Sequence, residues 1–217
     1  MSKILLVAAS GLARETIASI EQTGDHEVIG LLDDNTALHG TLIGKVRVLG
    51  GLEIAKERSE KLLICAGKGS SRAAIVSRLG LDDSRYATHI HSTAVLGSSV
   101  SVGCGSIILA DCVATCDIWV GRHTVLMPQV VLTHDNVLED FCTLAAGAKL
   151  AGRVTVGHRA YVGTNAAVRE DVQIGAGAVI GMGSALLHDV PAEQTWAGNP
   201  ARQIISSSNL ESTGPRA

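Results

Sequence analysis

The sequence predicts a small α/β domain with a parallel sheet over residues 1–85, a parallel β-helix over residues 86–205, and a mobile tail at 206–217. Three observations point there. One hexad register runs unbroken through the second half. Aromatic residues number only five while glycine reaches 24. The first ninety residues alternate strand-like and helix-like patterns.

The front region reads in order. Residues 3–8 form a short apolar run with the character of a buried strand, and Ser10-Gly11 supplies a turn. Ala13, Ile17 and Ile20 have helical spacing over 13–22. Residues 28–32 read as a second strand that ends in Asp33-Asp34, and residues 61–66 as a third, with Gly67 and Gly69 in the following loop. Residues 71–79 suit a helix. In open α/β sheets, ligands sit beyond the carboxyl ends of the strands, with phosphates near a helix N-terminus. That places Ser10, Gly11, Leu12, Gly67 and Lys68 where a nucleotide would bind. Asp33 and Asp34 stand where acids meet a ribose or a base, or simply open a turn. A dinucleotide fold would want GxGxxG after the first strand; its absence and the short domain argue against an NAD-linked enzyme.

The hexad register comprises Leu96, Val102, Ile108, Ala114, Val120, Leu126, Leu132, Leu138, Leu144, Leu150, Val156, Val162, Val168, Ile174, Ile180 and Leu186. Apolar residues at all these places arise by chance on the order of 1 in 10^5, so the period is real. Two residues earlier the side chain is usually small or β-branched, as at Ala94, Val100, Cys112, Thr124, Cys142 and Ala148. Side chains two apart in a strand share a face. Each hexad therefore gives one short strand with two inward residues, then a corner. Three hexads, eighteen residues, make a triangular coil, and coils stack ~4.8 Å apart. Such an interior is too narrow for aromatic rings, which explains their scarcity.

Composition narrows the partners. The formal charge is −3, from 18 basic and 21 acidic residues, and no Lys/Arg run suggests nucleic acid. No membrane span and no signal-peptide layout is read, and the five cysteines lack paired CxxC spacing. The expected compartment is the cytoplasm.

The segments VAASGLARE, GLLDDN, GKVRVLGG and ICAGKGSSR, then ATHIHSTAVLG, the hexads and the closing Ala197-Gly198-Asn199-Pro200-Ala201-Arg202, resemble the NeuD/PglD-type bacterial sugar acyltransferases over residues 3–204. The resemblance implies a left-handed β-helix and a homotrimer with active sites between subunits. It also implies a front domain that holds a nucleotide-sugar, with acetyl-CoA as co-substrate and no metal. The family's Gly-rich run followed by His is replaced here by Ala8, Ser10 and Leu12, while Gly11, Arg14 and Glu15 remain. A missing glycine narrows how closely backbone approaches a phosphate.

His134-Asp135 occupies the place of the family's catalytic His and acid. Imidazole titrates near pH ~6.5, suited to deprotonate an amine acceptor, with Asp135 or Glu139 to fix its tautomer. A solvated corner histidine is the plain alternative. One coil on from His134 is Gly152, a position with room for an acetyl group and an N–H for an oxyanion. Thr143 stands where some members place a second His against the thioester. The pantetheine arm is expected near Thr164 and Met182, with Lys149 or Arg202 at the CoA phosphates unless these are plain surface cations.

The same residues bear on other functions. A β-helix carbonic anhydrase needs three converging histidines, yet His134 and His158 fall on different faces, and His188 lies three coils from His134 by the eighteen-residue spacing. A non-catalytic nucleotide-sugar binder would survive loss of His134. Within acyl transfer, a nucleotide-linked 4-amino-4,6-dideoxy sugar is favoured over a sialic acid hydroxyl, because the front domain suits a nucleotide and an amine is the better nucleophile.

Overall fold

The computed structural model describes residues 1–204; the tail expected at 206–217 lies outside the described residues. Strand β1 (Ser2–Val7) is followed by α1 (Gly11–Thr23), β2 (His26–Leu32), the hairpin β3 (Leu42–Ile43) and β4 (Val46–Gly50), the short α2 (Ile54–Glu57), β5 (Lys61–Ile64) and α3 (Gly69–Leu79). Sheet order is β3-β4-β2-β1-β5, parallel except for the β3–β4 hairpin. Ile4–Val7 and Leu62–Ile64 are fully buried because both faces of the sheet are covered, hence their continuous apolar runs. Ser10 caps α1 by accepting the Ala13 N–H, and the helix stops at Gly24 in the left-handed region. The hairpin strands were not expected from the sequence.

The second half is a left-handed parallel β-helix. Its three faces carry six, five and eight strands. The first face stacks Val95–Leu96 up to Ala185–Leu186, the second Val100–Val102 up to Gln173–Ile174, and the third begins at His89–Ile90 and closes on the antiparallel Ala201–Gln203. Pairing advances by eighteen residues, as in Val113 to Val131 to Lys149. Every hexad member from Ile108 to Leu186 is buried in one continuous core.

The corners follow an equally strict rule. Every sixth residue from Gly105 to Gly183 has positive φ, including Asp111, Asp117, His123, Asp135, Phe141, Arg153 and Asp171. An L-residue there costs about 1–2 kcal/mol, least for Asp and Asn. From Asp111 onward the amide at each such corner is held by the coil beneath: Asp135 N–H donates to Cys116 O at 3.2 Å and Arg153 N–H to His134 O at 3.0 Å.

The front domain sits on the third face. Leu12, Ile17 and Leu63 share one buried cluster with Ile107, Leu109 and Val125. Asp25, His26 and His89 close the junction through hydrogen bonds: His89 Nδ1 to Asp25 at 2.8 Å and His89 Nε2 to Ser19 Oγ at 2.7 Å, with His26 Nε2 reaching Thr88 O at 3.1 Å. At the corner between second and third faces, the His123 ring stacks on Phe141 at 5.1 Å and meets Tyr86 edge-on at 4.6 Å. Both His123 ring nitrogens are buried without a hydrogen-bond partner among the described residues.

Candidate active site

The chain leaves β1 toward β2 on one side and reaches β5 on the other, so a crevice opens where connections diverge. There lies a cleft of about 610 Å³, along which the structure brings Ser10, Gly11, Leu12, Gly67 and Lys68 together. Ser10 Oγ donates to Cys65 O at 2.6 Å and ties the two strand ends. Ala8 sits at φ 75, a strained value for a residue with a side chain. Asp33 and Asp34 line no part of this cleft. Asp33 accepts Ala9 N–H at 2.7 Å and Asn35 N–H at 2.8 Å, bracing the turn after β1. Asp34 accepts the Leu52 N–H and pairs with Arg78, whose hydrogen bond holds the carboxyl below the usual range. Both carboxylates are thus spent on the protein's own backbone and side chains.

The cleft floor comes from the third face: Val125, Thr143 and Tyr161, with Ala146 and Thr164 at the adjoining corner. Sequence reasoning missed the residue that joins floor to wall. Arg72, on α3 and fully buried, donates to the carbonyls of Ala66, Gly67, His123, Phe141 and Cys142 and to Thr143 Oγ1. Burial lowers its pKa to about 10, which leaves it charged at neutral pH. Gly69 permits the contact, since a methyl group there would lie 2.2 Å from Phe141 O. One arginine in a helix gives no sequence sign of such a role. Thr143, expected at a thioester, also donates to Gly67 O at 3.3 Å.

His134 occupies the corner between the first-face strand Val131–Leu132 and the second-face strand Val137–Leu138. Its Nδ1–H donates to Asp135 Oδ2 at 2.7 Å, which puts the lone pair of the neutral ring on Nε2. Glu139 instead accepts the His158 N–H at 2.7 Å. Gly152 does lie one coil on, but the space above it holds the imidazole: a methyl group there would stand 2.4 Å from both Cε1 and Nε2 of His134. Glycine is needed to seat the imidazole, which differs from the expectation of room for an acetyl group. The Gly152 N–H has no hydrogen-bond partner among the described residues.

The His134 corner is opposite the third face, so within one chain it faces away from the cleft and from Thr143. Thr164 and Met182 are stacked one coil apart on the corner between third and first faces, Met182 being 79% exposed. Lys149 Nζ donates to Gly147 O at 2.9 Å on the first face, and Arg202 Nη1 to Ala201 O at 2.8 Å. His158 follows the second-face strand Thr155–Val156 whereas His188 follows the first-face strand Ala185–Leu186, so these two and His134 do not converge.

Residues 3–79 match the protein family described as PglD N-terminal domain. The fold superposes on a mutant of perosamine N-acetyltransferase from Caulobacter crescentus, solved with CoA and GDP-perosamine, with a TM-score of 0.86 at 25% identity over 95% of this chain and 98% of that one. It superposes on the acetyltransferase domain of PglB from Neisseria gonorrhoeae FA1090 with a TM-score of 0.84, at 25% identity over 94% and 100%. A curated relative, the acyl-[acyl-carrier-protein]–UDP-N-acetylglucosamine O-acyltransferase of Stutzerimonas stutzeri (strain A1501), is 39% identical over 82 residues, 38% of this chain and 32% of the relative. The chain spans about a third of the length of the curated relatives it matches. Among the described residues, no helix is long and apolar enough to cross a membrane.

Proposed function

We propose, for a chain that belongs to the hexapeptide-repeat sugar acyltransferases with a PglD-type N-terminal domain, that it moves the acetyl group of acetyl-CoA onto the amine of a nucleotide-linked 4-amino-4,6-dideoxy sugar. The observation that carries the reading is the seating of His134: Asp135 holds Nδ1–H, and Nε2 stands free over Gly152. Nε2 takes the amine proton as nitrogen attacks the thioester carbonyl. The Gly152 N–H receives the oxyanion. Collapse expels the CoA thiolate, and the imidazolium returns the proton to it.

The nucleotide-sugar lies in the cleft, its diphosphate near Lys68 and the N-terminus of α3. Base and cleft are on opposite sides of one β-helix, so a second copy must bring them together. A homotrimer does this with three equivalent sites. Val95 and Trp119, 62% and 56% exposed on the first and second faces, supply apolar surface for that packing. Thr164 and Met182 flank the pantetheine arm, and Lys149 or Arg202 meets the CoA phosphates. The reaction is placed in the cytoplasm.

A thiol-release assay tests this. Purified protein receives acetyl-CoA with UDP-, GDP- or dTDP-linked 4-amino sugars, and free sialic acid in parallel. CoA release on one amino sugar, lost in His134→Ala, is the expected result. Release on sialic acid alone would move the assignment to hydroxyl acetylation, and equal release by wild type and His134→Ala would remove the base.

A further inference from the structure

We infer that Asn136 is a positioning residue for acyl transfer, holding the Ala151–Gly152 peptide so that the Gly152 N–H faces the oxyanion. The inference rests on the acetyl-transfer reading above. Asn136 points into the β-helix, is fully buried, and follows the His134–Asp135 corner directly. Its Nδ2 donates to Ala151 O at 2.8 Å. A trans peptide is planar, with C=O and N–H pointing opposite ways. A carbonyl held inward therefore sends the Gly152 N–H outward, toward the side where the imidazole lies. A hydrogen bond at the carbonyl also polarises the amide and makes its N–H the stronger donor.

The molecule uses the same arrangement at two other corners. Ser106 Oγ donates to Gly121 O at 2.9 Å, and the N–H of that peptide, on Arg122, donates to the Asp140 carboxylate at 2.7 Å. Cys142 Sγ donates to Gly157 O at 3.1 Å, and the His158 N–H donates to the Glu139 carboxylate at 2.7 Å. In both, an inward donor stands behind a peptide whose other end holds an anionic oxygen. At Ala151–Gly152 the inward donor is present and the N–H is free beside the base. A developing oxyanion is the matching partner. Asn136 is also costly to keep, because its Oδ1 is buried without a partner among the described residues.

Activity and stability are expected to separate. Asn136→Val removes the donor and the orphaned acceptor together, at a position where Val130 and Val154 fill equivalent places. Its melting temperature should equal or exceed that of wild type. Its kcat should fall about tenfold, short of the 10²–10³ loss seen when an oxyanion donor is deleted, with KM for both substrates within about twofold. Asn136→Ala should show the same loss and serves if valine overpacks. Asn136→Cys restores a donor of the kind Cys142 already provides and should recover kcat to within about threefold. A folded Val or Ala variant with wild-type kcat would overturn the role, as would a Cys variant as impaired as Val. Failure of the acetyl-transfer reading looks different: wild type itself would release no CoA.

Discussion

Around His134, separations of a few ångströms decide what the side chains can do. A methyl group on Gly152 would occupy the ring's place at 2.4 Å, and the half-exposed imidazole moves more easily than the backbone. Gly152→Ala should therefore keep its melting temperature and lose about 10²-fold in kcat/KM, the scale set by a displacement near 1 Å; steady-state kinetics beside a thermal melt check it. Asp135 sits at φ 59, which asparagine tolerates. Asp135→Asn should keep the corner but lose the carboxylate that fixes Nδ1–H, lowering kcat by about tenfold or more. The pairing of positions 134 and 152 was legible because an eighteen-residue coil makes it arithmetic. Asp135 over Glu139 was not, since both acids lie within five residues of the histidine in the chain, and only the fold sets them at successive corners with the strand Val137–Leu138 between them. Arg72 and Asn136 were illegible for a related reason: their partners are backbone carbonyls, which leave no residue-type signature.

Elements were read best where burial imposes a period. One of the two inward positions of each hexad is apolar without exception from Ile108 to Leu186, so every coil announced itself. Strands β3 and β4 passed unnoticed because β3 has two residues with neither fully buried, and β4 is five residues long and buries only alternate ones. Within a rung, Leu144→Ala should cost about 2–5 kcal/mol by denaturant unfolding, as the stacked coils cannot collapse onto the gap. The corner stack at His123 gives a pH dependence. Burial, with the Arg72 and Arg122 charges, lowers its pKa to about 4, against ~6.5 when unfolded. The unfolded chain then binds more protons between these values, so stability is complete above pH ~6.5 and is lost as pH falls toward about 4, by up to roughly 3 kcal/mol. His123→Phe, matching Phe141 on the next coil, should flatten that loss in urea midpoints measured from pH 7 to 4.

For the whole molecule, the two halves were separable in the sequence because one follows a six-residue period and the other does not. How they meet was not, since Arg72 and the Asp25–His89 pair act across long sequence separations. Light scattering should give three copies per particle. Mixing His134→Ala with Lys68→Glu protomers, each inactive alone, should restore about one quarter of wild-type turnover, because random exchange pairs an intact base with an intact cleft in that share of cyclic interfaces. No recovery after exchange would place base and cleft in one chain.

The back-to-back arrangement of His134 and the cleft has a kinetic consequence under the proposed reaction. A solitary chain would then carry half of each of two reaction centres and complete neither. On dilution below the association range, output should drop as roughly the third power of chain concentration rather than in proportion to it. A cell making few copies would then acetylate almost nothing, and a modest rise in expression would switch the reaction on.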